Sequence, residues 1–245
     1  MVSFIYKKIV GAVRFLTVFT LPGGEEMQGA SAYFPLAGWL IGGVLYLAAW
    51  LLRGQAASLR AFLLLALWEL LSRGLHVDAL ADTADGLMAG GGRERILAIM
   101  DDTRTGSFAI LAITLAMLGK FSLLSSLDAA KTGGALVCGC VLARYTMTLL
   151  ACLLPPARRE GLGNLVIDST GVKELAIASL IGLLPLAIIF RASLLFALAG
   201  PVASLYFALY GRRKIGGING DIMGTCLELT DIVTLLAFLA ASTIS

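Results

Sequence analysis

Gly133-Gly-Ala-Leu-Val-Cys-Gly-Cys-Val-Leu-Ala-Arg-Tyr-Thr-Met-Thr-Leu-Leu-Ala-Cys-Leu-Leu154 carries one charge, Arg144, in a run long enough to cross a bilayer. A helix needs about 20 mostly apolar residues for that. Six more stretches qualify, at about 33–52, 57–75, 107–127, 174–190, 193–210 and 222–243. Residues 3–21 differ. They mix apolar residues with Lys7, Lys8 and Arg14 and read as an amphipathic helix lying at the interface, stopped by Pro22-Gly23-Gly24. The expected fold is all-α: a polytopic integral membrane protein with about seven transmembrane helices and an N-terminal amphipathic helix, in one domain over 1–245.

Composition agrees. The chain is 58% hydrophobic and 14% charged, with a mean hydropathy of +0.89, whereas soluble domains carry about 25% charged residues. Lipid must therefore cover its apolar surface. No small-residue cleavage site follows the basic N-terminal turns, so no removable signal is expected. Cys138, Cys140, Cys152 and Cys226 lie in apolar stretches without metal-site spacing and read as small buried residues. No basic-aromatic face suggests nucleic acid. Oligomeric state stays open, a homo-oligomer included.

Positive charge sets the orientation. The N-terminal segment and the loops after spans 2, 4 and 6 hold thirteen Lys and Arg; the alternate side holds four, Arg53, Arg60, Lys131 and Arg191. The N-terminus and those three loops should face the cytoplasm, with the chain in the inner membrane. The polar, glycine-punctuated segments then share one face.

On that face lies Gly74-Leu-His-Val-Asp-Ala-Leu-Ala-Asp-Thr-Ala-Asp-Gly86. On a helix Asp78, Asp82 and Asp85 fall within about 60° of one another. Carboxylates so close repel unless a cation sits between them, and Mg2+ takes carboxylate oxygens while leaving positions for phosphate. The plainer alternative is a solvated helix end, although Lys and Arg are the usual residues there. Asp101 and Asp102, in Ile99-Met-Asp-Asp-Thr-Arg-Thr-Gly106, are either further ligands or partners for Arg93, Arg95 and Arg104, and Asp102 could cap the next helix. Arg104 is either a phosphate ligand or a topology charge.

Asp221 and Glu228, seven residues apart, share a face of the last span, with Gly224 between them. Lys120, Arg144, Glu228 and Asp231 sit within apolar spans, where unpaired charge is costly, and read as a buried ion-pair network or as functional groups. Gly216 and Gly217, beside Arg212, Arg213 and Lys214, could cradle a diphosphate but match no phosphate-loop pattern. His76, the one histidine, points about 160° from Asp78 on an ideal helix. It is either a packing residue or a general base.

Four ordered motifs resemble the cobalamin synthase family. His76-Val-Asp-Ala-Leu-Ala-Asp-Thr-Ala-Asp-Gly86 is similar to its His-x-Asp-Gly-Leu-Ala-Asp-Thr-x-Asp-Gly, and Ile99 to Gly106 to its Ile-Met-x-Asp-Ser-Arg-x-Gly. Arg159-Glu-Gly-Leu-Gly-Asn164 and Gly216-Gly-Ile-Asn-Gly-Asp221 through Glu228 resemble two further signatures, and Phe34-Pro35-Leu36 also matches. Ala79, Thr103, Asn219 and Met223 depart from the usual residues, and the N-terminal segment lacks the usual arginine. None of these changes removes a carboxylate.

The resemblance implies a Mg2+-dependent transfer. A hydroxyl of α-ribazole, or of its 5′-phosphate, attacks the cobinamide-linked phosphorus of adenosylcobinamide-GDP, and GMP leaves. On that reading the metal ligands come from Asp78, Asp82, Asp85, Asp102, Asp221 and Glu228, Asp82 and Asp85 being central. Arg104, Arg159, Gly216 and Gly217 contact phosphates, and His76 is the base. A CDP-alcohol-type phosphotransferase is a rival, although Leu87-Met-Ala-Gly90 after Asp85-Gly86 breaks its signature. So is a cation-coupled transporter, although its sites usually lie at mid-membrane.

Reporter fusions at positions 90, 165 and 215 should all report the cytoplasmic side, and a fusion at the carboxyl end the opposite side. Positions 90 and 215 on opposite sides would contradict a one-faced site.

Overall fold

A computed structural model of the chain describes residues 2–158 and 161–244. The helices follow in the order α1 (Val2–Leu16), α2 (Phe34–Leu51), α3 (Ala57–Ser72), α4 (Leu75–Ala89), α5 (Arg93–Met100), α6 (Ser107–Ser126) and α7 (Ala129–Leu153), then α8 (Leu162–Asp168), α9 (Val172–Ile181), α10 (Leu183–Ala197), α11 (Ala199–Ile215) and α12 (Gly220–Ile244). Among the described residues there is no strand, only an isolated bridge between Pro156 and Ile218.

Helix α7 is the axis of the bundle, buried along most of its length. It meets α2 backbone to backbone. A Cβ on Gly38 would fall 2.5 Å from the Cys140 carbonyl oxygen and 2.7 Å from the Val141 Cα, and one on Gly42 2.9 Å from the Val137 Cα. In lipid no hydrophobic force pulls helices together, so close packing through small residues does that work. Helix α1 buries Val10, Val13 and Leu16 and leaves Phe4 and Ile5 exposed, the asymmetry expected of an interfacial helix.

Among the described residues six helical stretches are long and apolar enough to cross a membrane: Ala30–Leu51, Ser107–Ser126, Ala129–Leu153, Val172–Arg191, Ser193–Ile215 and Gly220–Ala241. The chain is a multi-pass membrane protein. The seventh expected span, 57–75, is not among them, because its helix breaks. Arg73 and Gly74 both take left-handed conformations, φ 58° and 63°, and the Arg73 guanidinium donates to the carbonyls of Arg14 (2.8 Å) and Phe15 (3.1 Å) at the end of α1. Glycine tolerates such a turn readily, and an arginine is well suited to a helix C-terminus. Helix α3 stays beside the far part of α6, where Arg60 donates to the Leu127 carbonyl (3.1 Å). Helix α4 then sets out afresh toward the end where α6 begins.

Lys120 of α6 is wholly buried and pairs with Glu69 of α3 (3.0 Å) and Glu228 of α12 (2.6 Å), its ammonium lying 4.5 Å from the centre of the Trp68 ring. Arg144 of α7 faces Asp231 of α12 at 3.9 Å, both fully buried. The network expected from Lys120, Arg144 and Asp231 is present, with Glu69 added to it. Lys120 and Glu228 are thus held by each other rather than lining an open path for ions.

Gly38→Ala should lower the thermal stability of the detergent-solubilised protein by about 1–3 kcal/mol, because a methyl there overpacks a backbone contact. Gly43→Ala, on the same helix with open space around it, should not. Equal melting temperatures for Gly38→Ala and the parent would contradict the contact.

Candidate active site

Five segments meet at the end of the bundle where α4 finishes: α4, the turn after α5, the start of α6, the chain after α7 and the start of α12. Main-chain bonds and arginines tie them. Ala157 N–H donates to the Ile218 carbonyl (2.7 Å) and Ile218 N–H to the Pro155 carbonyl (2.9 Å). Arg93 of α5 donates to the carbonyls of Ile215 (2.7 Å) and Ala157. Arg158 grips Asp101 (2.6 Å) and donates to the Leu97 carbonyl (3.2 Å). The sequence offered Arg93 as a partner for Asp101 or Asp102; Arg158 takes Asp101 instead, and the forked donors of both arginines staple this face.

A cavity of about 210 Å3 opens there, lined by Asp78, Asp82, Asp85, Asp101, Asp102 and Arg104. The carboxylates of Asp78 and Asp82 have no hydrogen-bond or ion-pair partner among the described residues. Partial burial pushes the Asp82 carboxyl up to about 6, reinforced by the negative charges of Asp221, Asp78, Asp85 and Asp101. A cation placed beside it would favour the charged form.

The other acids are engaged. Asp85 accepts from the backbone N–H of Gly106 (2.6 Å) and of Ala109 (2.9 Å), so it caps the start of α6 from across the cavity. Asp102 accepts from the Arg104 guanidinium (2.6 Å to Nη2) and backbone N–H (3.0 Å); those hydrogen bonds hold its carboxyl down at about 2. Arg104 itself is largely exposed. Asp221, on the first turn of α12, accepts from the Asn219 side chain (2.7 Å), while Asn219 Oδ1 accepts from the Ile222 N–H (3.0 Å) and caps the helix. Asn219, a departure from the usual pattern, thus serves as a helix cap.

Glu228 lies about 10 Å deeper than Asp221. It is bound to Lys120 and borders a separate, apolar groove with Leu80, Leu115 and Ile232. His76 is 2% exposed, and neither ring nitrogen has a partner. It borders a smaller cavity behind Asp78 rather than the acid cavity. Gly217 is required by packing: a Cβ there would stand 2.5–2.6 Å from the backbone of Pro155, Pro156 and Ala157. Gly216 ends α11 in a left-handed conformation, φ 81°, with Arg93 alongside. Both glycines hold the loop in shape. The Arg159 expectation lies outside the described residues.

The donor set on the cavity is all oxygen, which suits a hard cation. Among the described residues no three His, Cys, Asp or Glu side chains stand close enough to enclose one ion. Mg2+ is commonly held by one or two carboxylates together with substrate phosphates, and the unpaired Asp78 and Asp82 beside Asp221 fit that mode.

Comparison with known proteins decides the family. Residues 8–239 match cobalamin-5-phosphate synthase. The chain belongs to that family. It is similar to adenosylcobinamide-GDP ribazoletransferase of Chlorobaculum tepidum, 39% identical with 94% of each chain covered, and to that of Chlorobaculum parvum, 38% identical with 91% of each covered. The protein of that name from Pseudomonas aeruginosa is 38% identical, with 94% of this chain and 97% of that one covered. No solved structure matches. The match spans the motifs that build the cavity, so the family's role in cobalamin synthesis extends to this chain.

Asp85→Ala should reduce stability by about 1–2 kcal/mol through loss of the α6 cap, measured by thermal unfolding in detergent. Asp82→Ala, which removes an unpaired acid, should leave stability unchanged or raised. Equal losses for the two would contradict their separate roles.

Proposed function

We propose that the chain transfers the adenosylcobinamide phosphate group from adenosylcobinamide-GDP to α-ribazole, or to its 5′-phosphate, at the cytoplasmic face of the inner membrane. The observation that carries the reading is the pair of carboxylates without a partner among the described residues, Asp78 and Asp82, beside the exposed Arg104 guanidinium in a family of this name. In the reaction a hydroxyl oxygen of the acceptor forms a bond to the cobinamide-linked phosphorus. The bridging P–O bond breaks, GMP leaves with the bridging oxygen, and the hydroxyl proton passes to a base.

Phosphoryl transfer asks a protein for position and charge compensation rather than covalent chemistry. Asp82 of α4 and Asp221 of α12, with Asp78 nearby, would hold Mg2+ together with the substrate's phosphates, and the ion when bound would neutralise phosphate charge and orient the diphosphate. Asp85 orders the start of α6 and so keeps the cavity wall in place. Arg104, released from Asp102, would bring a guanidinium from the cavity wall to the departing GMP. His76, buried with both ring nitrogens unengaged and bordering a cavity that Asp78 also borders, would take the proton from a hydroxyl held at Asp78.

Asp82→Asn should cut GMP release from adenosylcobinamide-GDP by about a hundredfold or more, while expression and membrane insertion stay at parental levels. Near-parental GMP release by that variant would refute the role given to Asp82.

A further inference from the structure

Helix α4 has two lined sides. Asp78, Asp82 and Asp85 border the acid cavity, whereas Leu80, Ala84 and Leu87 border a groove of about 530 Å3 between α4, α6, α11 and α12. Phe108, Leu111 and Leu115 of α6 line this groove and are exposed, so it opens outward. Helices α6, α11 and α12 belong to membrane-crossing stretches, so the surroundings it opens to are lipid rather than water. The polar side chains at its floor are spent inside the protein. Thr225 donates to the carbonyls of Asp221 (2.8 Å) and Ala79 (3.2 Å), and Glu228 is held by Lys120.

Depth, size and charge restrict the occupant. The lining runs from Phe108 to Ala116 on α6 and from Thr225 to Ile232 on α12, about 10–12 Å along each helix. One leaflet of hydrocarbon is about 15 Å deep. Phe108 is the second residue of α6 and Met88 the last but one of α4, so the groove starts at the end of the bundle that holds the acid cavity. It is confined to that leaflet. An apolar cavity of about 150 Å3 takes the six carbons of benzene, and on that scale this groove takes about twenty, enough for an acyl chain. A ligand rich in amides would lose its hydrogen bonds against such a wall.

The charge lies at one end. Arg212, Arg213 and Lys214 close α11, are exposed, and have no ion pair among the described residues. The Lys214 ammonium stands 5.5 Å from the centre of the Tyr210 ring, and Tyr210 lines the groove. Arg213, three residues from Tyr210, falls on the same side of the helix. Cations therefore stand at the head of an apolar furrow one leaflet deep, an arrangement complementary to an anionic lipid.

We propose that this groove binds one anionic phospholipid of the leaflet on the acid-cavity side. An acyl chain lies against Leu80, Leu111 and Ile232, and the headgroup phosphate meets Lys214 and Arg213. The lipid braces the back of α4, the helix whose other side carries Asp82.

The test is thermal unfolding of the purified full chain in neutral detergent with added dioleoylphosphatidylglycerol or dioleoylphosphatidylcholine, beside native mass spectrometry of the retained lipid. Phosphatidylglycerol should raise the melting temperature by about 5 °C or more relative to phosphatidylcholine, with one molecule retained per chain. The Arg213→Ala, Lys214→Ala double variant should lose that preference. Ala112→Trp fills the groove from α6 and should abolish the shift; Leu115→Trp does the same should the first variant fold poorly. Equal shifts from the two lipids, or an undiminished phosphatidylglycerol shift in a folded groove-filling variant, would overturn the assignment. So would a parental dimer that Ala112→Trp dissociates, because a second copy would then occupy the groove.

Discussion

An ammonium group buried in the middle of a membrane bundle must be paired, and the pairing of Lys120 fixes how the helices stand against one another. Glu69 reaches it from α3 and Glu228 from α12. Removing one partner of a buried pair leaves an uncompensated charge, which typically costs about 3–5 kcal/mol. The contact therefore locks α12 at one depth relative to α6. Seven residues earlier on the same helix, about 10 Å nearer the membrane surface, stands Asp221. The depth that suits Glu228 is thus the depth that brings Asp221 beside Asp82. Arg144 and Asp231 add a second anchor between α7 and α12.

The other half of the arrangement comes from a broken helix. Arg73 and Gly74 end α3, and α4 leaves the break carrying Asp78, Asp82 and Asp85 to the face where α6 begins. Asp85 is bound to the first turn of α6, which places Asp82 one turn back on the cavity wall. Acidic groups gather here because the surrounding backbone is stapled by arginines working on carbonyls, not on the acids alone. Arg93 and Arg73 each hold the C-terminal carbonyls of another helix, and Arg158 shares itself between Asp101 and Leu97. Among the described residues Asp78 and Asp82 are left without a cation of their own.

Much of this was readable from the residues. Spans rest on hydropathy, which a bilayer enforces, and the stretches around 133–154 and 222–243 emerged nearly as read. The convergence of 78–85, 101–104 and 221 followed from charge placement, and the structure joins them through contacts that no periodicity could show. The break at 73–74 left only Arg-Gly as a trace, a helix-end signal easily lost inside an apolar run. Glu69 as partner of Lys120, and Asp85 as a cap for a helix 21 residues on, are tertiary facts without a local mark. Gly217 looked like a phosphate cradle because glycine serves equally for close packing; only the backbone of Pro155–Ala157 against it distinguishes the two. Glu228 shares a face with Asp221 but not a depth, and a helical wheel discards depth.

The central claim is that carboxylates of α4 and α12 act on one cation together. Electron paramagnetic resonance of Mn2+, added with adenosylcobinamide-GDP to the purified protein, tests it most directly. The account predicts a bound signal that is lost in Asp82→Asn and, separately, in Asp221→Asn. A bound signal of parental size in the Asp82→Asn, Asp221→Asn double variant would contradict it.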